Sequence, residues 1–380
     1  MPNAKDTLAP GAILENTMSE LLRELNDEQK QAVEYIDGPL FVFAGPGTGK
    51  TKVTTHKLAY LIKEKGFRPE EVLALTFSQK AAEEMEGRAR ALLPGVPGVR
   101  ISTFHSFCNE ILRENALEMG IDANSGVFTE EYQQAFLLEN LDDFGLETLP
   151  VPTRPIELAT TFQGAITRFK QENISVERLE AFLKKKKADK SEEMGNLRDL
   201  AKAYRAYEDF KKSRGFLDFG DMQLLALELF EKKPETLKRY QARFRYVIVD
   251  EFQDTDFIQL RLIFKLAPSG NLTVVGDDDQ SIYRFRGAYL TNVRELDEHY
   301  KALGMTPVRK VLEINYRCTP DIQTVATGLI TNNPAREKKR METCKKGGDP
   351  VTVTRFNDDA SQALGILARV KELREKGRQY

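Results

Sequence analysis

Two stretches hold residues whose types and order suit phosphate chemistry. The first is "AGPGTGKT", behind the apolar run "LFVF". It comprises Ala44, Gly45, Pro46, Gly47, Thr48, Gly49, Lys50 and Thr51. Glycine lets successive backbone N–H groups turn inward around an anion. A helix that follows presents its N-terminus to the same anion. Lys50 is then placed to reach the β- and γ-phosphates of ATP, and the Thr51 hydroxyl to bind Mg²⁺. The strict pattern asks for Gly at position 44, so Ala44 is a small departure. A Gly/Pro-rich hairpin is the bland alternative. The strand-like run before the loop and the helical pattern after it speak against that alternative.

The second stretch is "YVIVDEFQDT", an apolar run ending in Asp250 and Glu251. A carboxylate at a strand tip suits Mg²⁺, which prefers hard oxygen ligands, so Asp250 is the metal candidate. Glu251 beside it can polarise a water for attack on a γ-phosphate. A kinase would aim its base at a bound hydroxyl, so the adjacent Glu favours hydrolysis. Alone, such an acidic pair is as often surface decoration. Beside a phosphate loop it reads as its catalytic complement.

The elements that must position these groups follow the α/β pattern. "LFVFA" (40–44), "VLALTF" (72–77), "YVIVD" (246–250) and "LTVVGD" (272–277) read as buried parallel strands, with "VRIST" (99–103) as a fifth. Charged helical patterns such as "MGNLRDLAKAYRAYEDFKKSRG" fill 109–216, which reads as a helical insertion between strands of one sheet. "KKKK" (184–187) within it is a solvated helix end or a phosphate-backbone patch. Beyond 304, "VRKVLEINY" reads as a strand opening a further domain, followed by a helix over 321–333. A basic linker comes next, then "VTVTRF" as another strand and a closing helix.

Bulk composition narrows the classes. The 380 residues carry a net charge of -2, so any nucleic-acid surface must be local. Three cysteines lie far apart with no CxxC, and there are only three histidines, which disfavours disulfides and zinc and fits a cytoplasmic setting. No run of ~18 apolar residues predicts a membrane span. Residues 1–17 read as a flexible polar tail.

Further stretches occur in a fixed order: "LNDEQKQAV", the phosphate loop, "TFSQKAAEEMEGR", "TFHSF", "DEFQDT", "VGDDDQSIYRFRGA" and "LEINYR". Together they closely resemble the superfamily 1 DNA helicases of the UvrD/Rep/PcrA type. The resemblance implies a RecA-like P-loop NTPase domain built from 18–108 and 217–304, with 109–216 as an inserted all-helical subdomain. Residues 305–380 then form the incomplete start of a second RecA-like domain.

The resemblance also implies roles. Gln29, whose amide can donate and accept at once, pairs with the adenine edge. Gln280 senses the γ-phosphate. Tyr316 stacks on adenine, and Arg317 reaches the γ-phosphate from across the cleft. Phe77 and His105 meet single-stranded DNA, and Thr103 binds a phosphate oxygen or simply caps a helix. Tyr283 and Phe285, interleaved with arginines, stack on bases or are core residues. Phe285 stands where the family has Trp, and Lys52 where it generally has Arg.

Motifs that follow these in the family are absent. Two functions are therefore expected. One is a 3′–5′ DNA helicase or translocase, present as a truncated or partial chain. The other is a module that binds ATP and single-stranded DNA without autonomous unwinding. A small-molecule kinase is disfavoured by the aromatic and "TFHSF" stretches. Implied partners are single-stranded DNA, single-strand/duplex junctions and repair or replication proteins, with no membrane.

Overall fold

The computed structural model describes residues 20–122, 125–150, 153–282, 291–333 and 336–378. The expected tail (1–17) and both aromatics Tyr283 and Phe285 lie outside the described residues.

Six parallel strands form the central sheet: β1 (Leu40–Ala44), β2 (Val72–Thr76), β3 (Arg100–Thr103), β4 (Tyr246–Val249), β5 (Leu272–Gly276) and β6 (Val308–Leu312). Their order is β3-β2-β4-β5-β1-β6. Every residue of β1, β2, β4 and β5 is buried. This is why they read as unbroken apolar runs: helices cover both faces. Phe41 and Phe43 pack on one face with Val247, Val249 and the helices Phe104–Glu114, Phe219–Lys232 and Phe257–Leu266. Leu40, Val42 and Ala44 alternate to the other face, against Val33 of helix Asp27–Glu34 and Val53 of helix Lys50–Lys63. The fold class is the expected RecA-like α/β sheet.

Parallel register brings all strand C-termini to one edge, where ligands bind in open α/β sheets. Phe43 faces Gly276, and Leu75 faces Val249. The phosphate loop, Asp250 and Asp277 therefore leave neighbouring parts of the same edge.

Two expectations need correction. Val308–Leu312 does not open a separate sheet; it pairs with β1, Leu40 facing Val308 and Ala44 facing Leu312. Its mixed exposure marks it as an edge strand. "VTVTRF" forms no strand, and Val353 is exposed. A strand needs a neighbour for its backbone groups, and none pairs with this segment among the described residues. The helix expected over 321–333 is present as Pro320–Ile330.

The insertion has a core of its own, including Phe128, Leu137, Phe162, Tyr204 and Tyr207. The chain enters and leaves it through a two-stranded clasp, Gly126–Val127 against Phe216–Leu217. The lysine run at 184–187 is exposed at the end of helix Val176–Lys185, where positive charge suits the helix dipole.

Asp256 caps helix Phe257–Leu266, its Oδ1 accepting from the Gln259 amide at 2.8 Å. Burial pushes its carboxyl up to about 7. Between pH ~4 and ~7 the folded chain keeps a proton that the unfolded chain has lost, so this group lowers stability as pH rises. Asp256→Asn should keep the cap and remove a slope on the order of 1 kcal/mol per pH unit. Urea denaturation at pH 4.5 and 7 measures it; an unchanged slope would contradict the shifted carboxyl.

Candidate nucleotide site

The phosphate loop leaves the end of β1 in a conformation that needs glycine at two places. Gly47 has φ +76° and Gly49 has φ +93°, both left-handed. Ala44 is the last residue of a buried strand and has no positive φ, so Ala fits where the strict pattern asks for Gly. Thr48 Oγ1 donates to the Gly45 carbonyl at 2.8 Å and closes the turn. Helix Lys50–Lys63 starts from Gly49 with no side-chain cap. Its first N–H groups are therefore presented toward the loop, as an anion site requires. Thr51 follows in the first turn and is half-buried.

Lys50 Nζ donates to Glu251 Oε2 at 2.9 Å, so the two sequence-distant motifs meet directly. Glu251 is one of two non-glycine residues with positive φ among the described residues, at +49°. Such a conformation is costly for a residue with a Cβ and is commonly held at functional sites. The buried Asp250 precedes it, its amide bound to the Leu75 carbonyl at 2.9 Å. Burial, then the Glu251 charge, pushes the Asp250 carboxyl up to about 7. The same two causes raise Asp254 to about 6. Lys50 is bound to Glu251 rather than to these two acids.

Gln253 extends the network, and sequence reading missed it. Its Nε2 donates to Glu251 Oε2 at 2.9 Å, and its Oε1 accepts from the Asp277 amide at 2.9 Å. Asp277 in turn holds Gln280, whose Nε2 donates to Asp277 Oδ2 at 2.6 Å. The signal was available, since Gln253 lies within "DEFQDT" and Asp277 within "GDDDQ".

Gln29 is buried beside the loop. Its Nε2 donates to the Thr48 carbonyl at 2.9 Å, and its Oε1 accepts from the Asn26 amide at 3.2 Å. Both ends of the amide are thus bonded within the protein here, where an adenine edge was expected. Tyr316 and Arg317 sit on the phosphate loop. The Tyr316 amide donates to the Gly47 carbonyl at 2.9 Å, and a Cβ on Gly47 would lie 2.6 Å from Arg317 Cβ. The Tyr316 hydroxyl accepts from Asn26 Nδ2 at 2.9 Å, linking it to the cap that also holds Gln29. The structure thus gathers Gln29, the loop, Glu251, Asp250, Gln280, Tyr316 and Arg317 around one strand edge.

The residues expected on DNA behave differently. Phe77 follows β2, and Thr103 ends the neighbouring β3, facing Thr76. Thr103 Oγ1 accepts from the Ser106 amide at 3.1 Å, which is helix capping, the blander of its two readings. Burial pulls His105 down to about 4, so its ring is neutral at physiological pH. Its Nε2 pairs with Gln223 Nε2 at 2.8 Å and its ring meets Phe219 edge-on. A neutral, paired His105 supplies no cation to a phosphate.

Residues 25–301 match the family model described as the UvrD/REP helicase N-terminal domain. The chain belongs to this family. An ATP-dependent DNA helicase PcrA of Staphylococcus epidermidis is 35% identical over 367 residues, which are 96% of this chain and 48% of the relative. One of Staphylococcus aureus is 34% identical over 365 residues, 96% of this chain and 47% of the relative. The chain therefore spans about half the length of the curated relatives it matches. The UvrD/REP match runs across both parts of the sheet and the insertion between them. No helix among the described residues is long and apolar enough to cross a membrane.

Proposed function

We propose that this chain binds and hydrolyses ATP with Mg²⁺ as the motor part of a 3′–5′ DNA helicase acting on single-stranded DNA and single-strand/duplex junctions. One observation carries the reading. The Lys50–Glu251 pair, 2.9 Å apart, joins the acidic strand end to the phosphate loop, whose Gly47 also meets Tyr316 and Arg317. The names of the PcrA relatives support the DNA substrate and the use of ATP.

ATP phosphates take the place of Glu251 as the partner of Lys50. That exchange frees the Glu251 carboxylate to accept a proton from water. Gln280 and Arg317 approach the γ-phosphate from opposite sides, and a cation from beyond β6 makes hydrolysis depend on closure. Tyr316 lies over the adenine, and Gln29 exchanges a protein bond for its edge. Thr51 and Asp250 would hold Mg²⁺. The buried Asp250 carboxyl, pushed up to about 7 by burial and the Glu251 charge, is a hard oxygen donor whose charged form a bound cation would favour, which fits that ion. Mg²⁺ supplies charge neutralisation between the phosphates when bound.

DNA stacks on Phe77, Tyr283 and Phe285 by their π-faces, without sequence preference. Partners in repair or replication, and a cytoplasmic location, belong to the same reading. A second reading is a module that grips ATP and DNA without unwinding alone.

Lys50→Ala should weaken binding of a fluorescent ATP analogue with Mg²⁺ by at least about tenfold. Affinity equal to that of the unaltered chain would remove the loop assignment. Single-stranded DNA that stimulates turnover favours the motor; binding without turnover favours the module.

A further inference from the structure

Two clusters of three carboxylates lie close enough to resemble cation sites: Glu208, Asp218 and Asp221, and Asp277, Asp278 and Asp279. Both are already filled by side-chain ammonium groups. The second is filled from an unexpected direction. Lys339 lies in the segment that follows helix Pro320–Ile330, far in sequence from the aspartates. Its Nζ donates to Asp277 Oδ1 at 2.7 Å, pairs with Asp278, and lies 3.1 Å from Asp279 Oδ2. The Lys339 side chain is 1% exposed and that of Asp277 is 0% exposed. Arg336 makes a two-pronged contact with Asp279, at 2.9 and 2.6 Å, and the Glu337 amide donates to Asp278 at 2.6 Å.

Asp277 uses its two oxygens differently. Oδ1 takes Lys339, and Oδ2 takes Gln280 Nε2 at 2.6 Å. The Asp277 amide donates to Gln253, which bonds Glu251, which bonds Lys50. Hydrogen bonds therefore run without a break from the phosphate-loop lysine to Lys339. The same segment also touches the loop itself. A Cβ on Gly45 would lie 2.6 Å from Met341 Cε, and Glu342–Thr343 pairs with Ile314–Asn315 beside Tyr316.

We infer that Lys339 is a positioning residue for nucleotide discrimination: it fixes Asp277, which aims Gln280 at the γ-phosphate. The inference rests on the proposed ATP-dependent function. A buried aspartate with its lysine removed would take up a proton or turn toward another donor. Either change releases the Gln280 amide from its set direction. The segment 336–343 thereby ties the state of the γ-phosphate site to the chain beyond β6. An ATP-dependent movement of that segment could then be read out at Gln280, and the reverse.

Equilibrium binding of ATPγS and of ADP, each with Mg²⁺, tests it on the full chain. Lys339→Met should weaken ATPγS by about tenfold, the worth of one charge-assisted hydrogen bond, and leave ADP unchanged. Lys339→Arg should restore most of the loss. In a Gln280→Ala background, Lys339→Met should add less than about twofold, since both act through one contact. Lys339→Gln, which keeps a donor for the buried carboxylate, serves if Lys339→Met does not fold. Equal weakening of ATPγS and ADP, or a full additional loss in the Gln280→Ala background, would overturn the inference. A ligand-free arm separates this from the proposed function. The side-chain amide resonance of Gln280 should shift in Lys339→Met and return in Lys339→Arg. If the unaltered chain binds neither nucleotide, the functional reading falls. The link from Lys339 to Gln280 then stands or falls on whether that resonance moves.

Discussion

Glu251→Gln should leave ATP binding in place and lower turnover by about 10² or more. The substitution keeps the shape of the side chain and one oxygen for the bonds from Lys50 and Gln253, now at 2.9 Å each. It removes the charge and the ability to take a proton. About 10² in rate corresponds to about 2.7 kcal/mol of barrier, within the range of a positioned base. The left-handed backbone at φ +49° supports a role in chemistry, because a strained position is hard to explain by packing alone. Glutamine tolerates that backbone no worse than glutamate, so the fold should not move. The measurement pairs analogue binding with DNA-stimulated phosphate release. Parallel losses in affinity and rate would instead make Glu251 a partner for Lys50 and nothing more.

How much of this site could be read from the sequence depends on how local each signal is. The phosphate loop and Asp250-Glu251 were legible because strand, turn and functional residue are contiguous. The buried strands were legible because full burial forces unbroken apolar runs. Val308–Leu312 was legible as a strand, but its neighbour was not. Pairing is decided by non-local packing, and a pattern of mixed burial fits any sheet edge. "VTVTRF" shows the limit of β-propensity, which describes a fit to a pleated surface and not the surface itself. Lys339 was hidden for a related reason. "REKKRMETC" looks like a solvated basic linker until the fold brings it to three aspartates. Thr103 had two readings at the outset, and the bond its Oγ1 accepts from the Ser106 amide fits the cap.

The insertion meets the sheet through the other filled cluster, and removal of one of its lysines should have the largest effect on stability. Lys170 and Lys211 have side chains 2% exposed, and both reach Asp218, Asp221 and Glu208. Asp218 Oδ2 takes Lys170 at 2.6 Å, Lys211 at 2.8 Å and the Tyr207 hydroxyl at 2.7 Å. Its Oδ1 accepts from the Asp221 amide at 2.8 Å and caps helix Phe219–Lys232. Burial opposes the Asp218 charge, but the two lysines win and hold its carboxyl far below the usual range. The charges sum to two positive against three negative. Asp218→Asn makes the cluster neutral, so its main cost is lost hydrogen bonding, about 1–3 kcal/mol. Lys170→Met keeps most of the stem volume but leaves one positive charge against three negative. An uncompensated buried charge costs about 3–5 kcal/mol, so Lys170→Met should be the more destabilising change. Urea denaturation near neutral pH gives both values. The deficit of Lys170→Met should shrink in mild acid, as Asp218, no longer held down by both lysines, takes up a proton. The reverse order of the two variants would mean that hydrogen bonds, not charge balance, govern the cluster. The consequence reaches the strand edge, because helix Phe219–Lys232 supplies both Phe219 and Gln223 to His105. A loosened cluster should therefore free His105 as well, and its titration should rise from about 4 toward the ordinary histidine range.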